Sequence, residues 1–172
     1  MIKLVGLFMI LISCFLGGIL YGSIFKRRED ELRKVYRKII DLENKVLYSR
    51  EPLPYALMDI SEDDSTEVGA IFLNSSKKLL NNEVDDVYDA FSESINSSRD
   101  KLALKDYDLR IVLDMARSLG RLDEEGHKKI FQSTLALLKR NTEEAHELAL
   151  KNGKLYRCLG ISLGLVIVII FI

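Results

Sequence analysis

Twenty-two consecutive residues, Leu4 to Phe25, carry no charge. At about 1.5 Å per residue they make a helix of roughly 33 Å, enough to cross a hydrocarbon core of about 30 Å. That run reads as a membrane span. At the far end Cys158 to Ile172 supplies 15 more uncharged residues. These alone give only about 22 Å of helix, so a second span is expected to start near Leu155, with Lys154 and Arg157 snorkelling to the headgroups. Between the two runs lies every charged residue except Lys3, 24 basic against 26 acidic. The expected organisation is a transmembrane helix over 1–25, a charged domain over 26–154 and a transmembrane helix over 155–172. With 172 residues and a net charge of -1, the chain is too short for a large multidomain enzyme. It is also too nearly neutral for a strongly basic nucleic-acid binder.

Positive residues flanking a span resist translocation. Lys26, Arg27 and Arg28 follow the first run and Lys151, Lys154 and Arg157 precede the second, whereas only Lys3 and the amino terminus lie before the first. The middle is therefore expected in the cytoplasm, with both termini across the membrane as a hairpin. Lys26, Arg27, Arg28, Lys154 and Arg157 are then membrane-surface anchors toward anionic lipid headgroups. A rival reading takes Leu11-Ile12-Ser13-Cys14 as a lipoprotein cleavage site. The apolar run continues to Phe25 where a mature lipoprotein would turn polar, which favours a retained anchor. In this topology the sequons at Asn74 and Asn96 meet no glycosylation machinery, and Cys14 and Cys158 lie at different depths, which disfavours a disulfide.

The charged middle reads as helices throughout. Leu32, Val35, Ile39, Leu42 and Val46 recur at steps of three and four, predicting one long helix from the first span to about Ser49. Its outer face pairs Glu29 with Arg33, Asp30 with Lys34 and Asp41 with Lys45 at four-residue spacing. Pro52 and Pro54, the only prolines, end it in a corner. A short helix over 55–60 follows, then an acidic loop through Glu62, Asp63 and Asp64 that can cap a helix over 66–80. Asn81-Asn82 turns the chain into a helix bearing Val84, Val87, Phe91 and Ile95. Asp106 starts a helix that Gly120 can close, and Asp123 caps a last helix that can run directly into the second span. The only β-branched run, Val166 to Ile170, falls within that span. The fold class is all-α, a cytoplasmic helical bundle flanked by transmembrane helices.

Chemistry is hard to find. No glycine-rich phosphate loop is present, so any ATPase is a partner and not this chain. His127 and His146 lie about 100° out of phase on one helix and lack ligand spacing, which gives no metal site. Asp123, Glu124 and Glu125 beside His127 are explained as helix capping. No nucleophile and base sit at usable spacing, so a non-enzymatic protein without cofactor, small-molecule substrate or nucleic acid is expected. In the spans, Gly18 with Gly22 and Gly160 with Gly164 form two small-residue faces at matching depth, which allows an antiparallel hairpin of close-packed helices.

Three stretches together resemble a known family: LVGLFMILISCFLGGILYG at 4–22, REPLPYAL at 50–57 and LGRLDEEGHKKIFQSTLALL at 119–138. They are similar to the stage III sporulation protein AB family of endospore-forming bacteria, in order and over nearly the whole chain. His127 departs from the family, which usually has Gln four residues after the Asp of its LGxxD segment. The resemblance implies a cytoplasmic domain similar to that of the type II secretion F component. It also implies a place in the mother-cell membrane around the forespore, in a channel complex whose other members include a protein resembling a secretion ATPase. The expected role is a platform joining that ATPase to membrane components; the alternative is a membrane-tethered signalling or regulatory module. Candidate docking residues are Pro52, Pro54 and Tyr55 at the corner, Glu62, Asp63 and Asp64 in the acidic loop, and Arg121, Asp123 and His127 in the turn before the last helix.

Overall fold

A computed structural model describes the backbone of residues 2–119 and 124–171, and the side chains of 23–119 and 125–156 with scattered positions beyond. The elements are α1 (Ile2–Glu43), which continues as a π-helical turn (Asn44–Tyr48), α2 (Leu53–Asp59), α3 (Glu67–Leu80), α4 (Val87–Ser98) with a 3-10 turn (Arg99–Lys101), α5 (Asp106–Leu119) and α6 (Glu124–Phe171). Among the described residues there is no strand, and the protein is all-α. No helix among them is long and apolar enough to cross a membrane. Many side chains of the two uncharged runs lie outside the described residues, including all four glycines Gly18, Gly22, Gly160 and Gly164.

The chain divides into two units. The larger, Asp30–Thr142, is a helical bundle. The three-and-four periodicity of α1 becomes burial: Leu32, Val35, Ile39 and Leu42 are all at most 3% exposed. Along the chain α2 packs on α3, α3 on α4 and α4 on α5. At the centre Phe72 of α3 meets Phe91 of α4 edge to face, with ring centroids 5.4 Å apart. Such a pair contributes about 0.5–1.5 kcal/mol beyond its buried area. Leu57, Val112, Met115, Phe131 and Leu138 complete the core.

Two polar contacts tie distant segments into this unit. Glu31 of α1 accepts from the Ala103 N–H at 2.7 Å, holding the 102–105 linker. Asn141 of α6 donates to Asp108 of α5 at 2.9 Å, and the other Asp108 oxygen accepts from the Lys105 N–H at 3.0 Å. Two local expectations need correction. Val84 lies outside any helix, because Asp86 adopts extended backbone and caps α4 through the Tyr88 N–H. Lys45 does not pair with Asp41 one helical turn away; it reaches forward to Glu51 and Asp59. A longer reach toward two carboxylates outweighs an exposed four-residue pair worth a few tenths of a kcal/mol.

The smaller unit joins Met1–Glu29 with Glu143–Ile172. Here α1 and α6 run antiparallel, with Phe25 stacked on Tyr156 at 5.9 Å between ring centroids and Glu29 Oε1 lying 2.9 Å from His146 Nδ1. Arg28 is buried, 3.7 Å from Glu144, so it faces protein where a surface anchor was expected. Lys26, Arg27 and Lys154 are exposed, and the side chain of Arg157 lies outside the described residues.

Candidate partner-docking site

The corner is built by a change of helix type. After Glu43 the α1 ladder loosens into the π-helical turn, Ser49 caps it by donating to the Asn44 carbonyl, and Arg50 takes a left-handed conformation at φ 52°. Pro52 then caps α2, and Pro54 stands in its first turn, where a missing N–H is no loss. The Pro54 carbonyl accepts from the buried Ser76 hydroxyl at 2.6 Å, fastening the start of α2 to α3. Pro54 is half-buried, whereas Pro52 is exposed and Tyr55 is 53% exposed. The corner thus offers an aromatic ring on a pinned backbone.

The acidic loop begins at the other end of α2, only seven helical residues away. Its three acids are not equivalent. Glu62 and Asp63 are exposed. Asp64 is bound into the fold: its carboxylate lies 2.8 Å from the buried Lys38 ammonium and accepts from the Thr66 N–H at 2.9 Å. Lys38 also donates to the Ile60 carbonyl at 2.6 Å. Burial alone would raise the Asp64 carboxyl, but the Lys38 ammonium together with the Thr66 hydroxyl and N–H outweighs it and holds the group down at about 2. Thr66 caps α3 by accepting from the Gly69 N–H. A Cβ at Gly69 would stand 2.5 Å from the Asp64 carbonyl oxygen, so the loop closes onto α3 only because residue 69 has no side chain.

The third candidate is separate. His127 Nε2 lies 2.9 Å from the Leu119 carbonyl, which ties the start of α6 to the end of α5. No described hydrogen bond or ion pair joins it to the corner or the loop. Arg121 and Asp123 lie outside the described residues. The structure therefore unites the corner and the loop through α2, leaves Glu62, Asp63 and Tyr55 open, and turns Asp64 to a structural task. Lys38 and Gly69 were not singled out from sequence as parts of this site, whereas Thr66 belongs to the loop expected to cap the helix. A glycine inside a strong helical pattern is the one signal that marks such a close approach. Among the described residues no three His, Cys, Asp or Glu side chains are grouped to hold a metal.

The family model for Stage III sporulation protein AB matches residues 3–172. A relative from Bacillus subtilis (strain 168), named Stage III sporulation protein AB, is 24% identical over 170 residues, covering 99% of each chain. A solved structure carrying the same name matches with a TM-score of 0.66 at 22% identity, over 72% of this chain and 96% of that one, a likeness of fold. Together with the all-helical order of elements, the match over nearly the full length means that the chain belongs to the stage III sporulation protein AB family.

Proposed function

We propose that this chain is a non-enzymatic membrane platform of a sporulation complex, anchored at both ends and docking its partners through the bundle. The carrying observation is the segregation of charge: two long uncharged runs, 4–25 and 158–172, bracket a domain holding every charged residue but Lys3. Each run belongs to a helix that continues without a break into charged sequence, α1 on one side and α6 on the other. The antiparallel pairing of Phe25 with Tyr156 supports a two-pass hairpin, and the basic residues at both boundaries support a cytoplasmic bundle. In the family setting this is the mother-cell membrane around the forespore. The partners are the other proteins of a secretion-like channel complex, including a secretion-type ATPase whose action the platform passes to membrane components.

The test is an affinity pull-down of the detergent-extracted protein from sporulating cells, with cysteine labelling of intact cells to read topology. Recovery of a secretion-type ATPase together with membrane proteins of the same complex supports the platform. Labelling of a cysteine placed at Ser97 only after the membrane is opened supports the cytoplasmic bundle. If neither pull-down nor crosslinking in intact membranes recovers such partners, the platform reading is wrong and a tethered signalling module takes its place.

A further inference from the structure

Between α4 and α5 the bundle carries a recess of about 400 Å³ that the corner and the acidic loop do not enter. Arg99, Arg110 and Arg117 line it together with Asp106 and Asp114, so it keeps a net positive charge. Arg99 is occupied, donating to Asp106 at 2.5 Å and to the Leu104 carbonyl at 3.0 Å. Arg110 and Arg117 have no carboxylate partner among the described residues, although both stand on an exposed helix face. They are two helical turns apart on α5, about 10.5 Å along its axis.

Arg117 is also held in place. Its guanidinium lies 4.4 Å from the centroid of the Tyr88 ring, which orients the plane by a cation–π contact and leaves the N–H edges free for a bidentate acceptor. The concave wall disfavours a flat lipid surface. Two guanidinium forks two turns apart match two carboxylates two turns apart on another helix, and Asp114 between them suits a single cation. We propose that the α4–α5 recess docks an acidic helical segment of a partner protein, with carboxylates at i and i+7 on Arg110 and Arg117 and a basic residue between them on Asp114. The inference rests on the recess alone and stands whether or not the chain is a membrane platform.

The full-length protein in detergent is titrated with two fluorescent alanine-based helical peptides. One has Glu at i and i+7 with Lys between; in the other the charges are inverted. Wild type should bind the first in preference, and Arg110→Glu or Arg117→Glu should each weaken it by about tenfold or more. The double variant R110E/R117E should transfer its preference to the inverted peptide. A circular-dichroism melt reports folding, and Arg110→Gln with Arg117→Gln replaces the reversals if they unfold the domain. Equal binding of the first peptide by wild type and the double variant overturns the proposal, as does failure of wild type to prefer it. If the reversals instead abolish binding to phosphatidylglycerol vesicles while the peptides go unbound, the recess is a headgroup site and the proposal is wrong.

Discussion

The Lys38 ammonium sits 2.8 Å from the Asp64 carboxylate, yet the two side chains are unequally wetted, 8% exposed for the lysine and 24% for the aspartate. Removing either partner leaves the other charge behind, and the cost depends on how much water that charge can recover. Asp64→Ala strands the more deeply buried group, with the Ile60 carbonyl left to accept from it, and also removes the acceptor for the Thr66 N–H. Lys38→Ala leaves a carboxylate that still holds Thr66 and can reach solvent. Denaturant unfolding should therefore show Asp64→Ala to be the worse change, by about 2–4 kcal/mol against about 1–2 kcal/mol for Lys38→Ala. Equal losses would refute the asymmetry.

The same contact sets a response to acid. Asp64 is held at about 2 in the folded protein, below the ordinary aspartate value of 3.8, so the unfolded chain binds its proton more tightly. The contribution of Asp64 is then complete above roughly pH 4 and fades as the pH falls toward 2. After allowance for solvent at this partly exposed site it is worth about 1–2 kcal/mol. Asp64→Asn has nothing to titrate there, so the stability gap between wild type and variant should narrow across that window. A constant gap from pH 5 to pH 2 would contradict it.

Gly69 predicts a steric effect with no charge involved. Any side chain at this position puts a Cβ 2.5 Å from the Asp64 carbonyl oxygen, which is backbone and cannot rotate away. Elsewhere in a helix Gly→Ala stabilises by up to about 1 kcal/mol. Here Gly69→Ala should lower stability by about 1–3 kcal/mol, as overpacking does. Gly153 makes the contrast, since a Cβ there meets nothing within 4 Å, and Gly153→Ala should be neutral or favourable. The two melting temperatures measured side by side decide it.

How much of this was legible in the sequence follows from the range of the interactions. Leu32, Val35, Ile39 and Leu42 were readable because burial of a helix face imposes a local period. The start of α4 was misplaced because the apolar Val84 suggested helix while the capping carboxylate of Asp86 set the boundary two residues on. Asp64 was readable as an acid in a turn, but nothing local distinguishes it from Glu62 and Asp63. Its partner Lys38 lies on a different helix, and only the tertiary fold joins them. Arg110 and Arg117 look like an ordinary solvated face until Tyr88 and the recess are seen beside them.

The contact between Asn141 and Asp108 tests the link between α5 and α6. Asp108 is 1% exposed and Asn141 is 3% exposed, so a donor lost here is not replaced by bulk water. Asn141→Ala should cost about 1.5–3 kcal/mol, the range for a hydrogen bond to a charged group. Asn141→Asp should cost more, because it sets a second carboxylate where the first needs a donor. The order Asp worse than Ala, read from denaturation midpoints at neutral pH, is the informative result. The reverse order would refute the need for a donor beside Asp108.

The acidic loop allows docking to be separated from folding. Glu62 and Asp63 are exposed and make no described ion pair, so Glu62→Lys with Asp63→Lys should change stability by no more than about 0.5 kcal/mol per site. If the loop is a docking surface, this double reversal should still abolish recovery of partners from sporulating cells. Asp64→Lys would lose recovery for a different reason, because it brings a second cation against Lys38 and opens the loop. A melt run on each variant distinguishes the two: unchanged for the Glu62 and Asp63 pair, lowered for Asp64. Full partner recovery by the stable double reversal would remove the loop from the docking surface and leave the exposed Tyr55 corner as its remaining part.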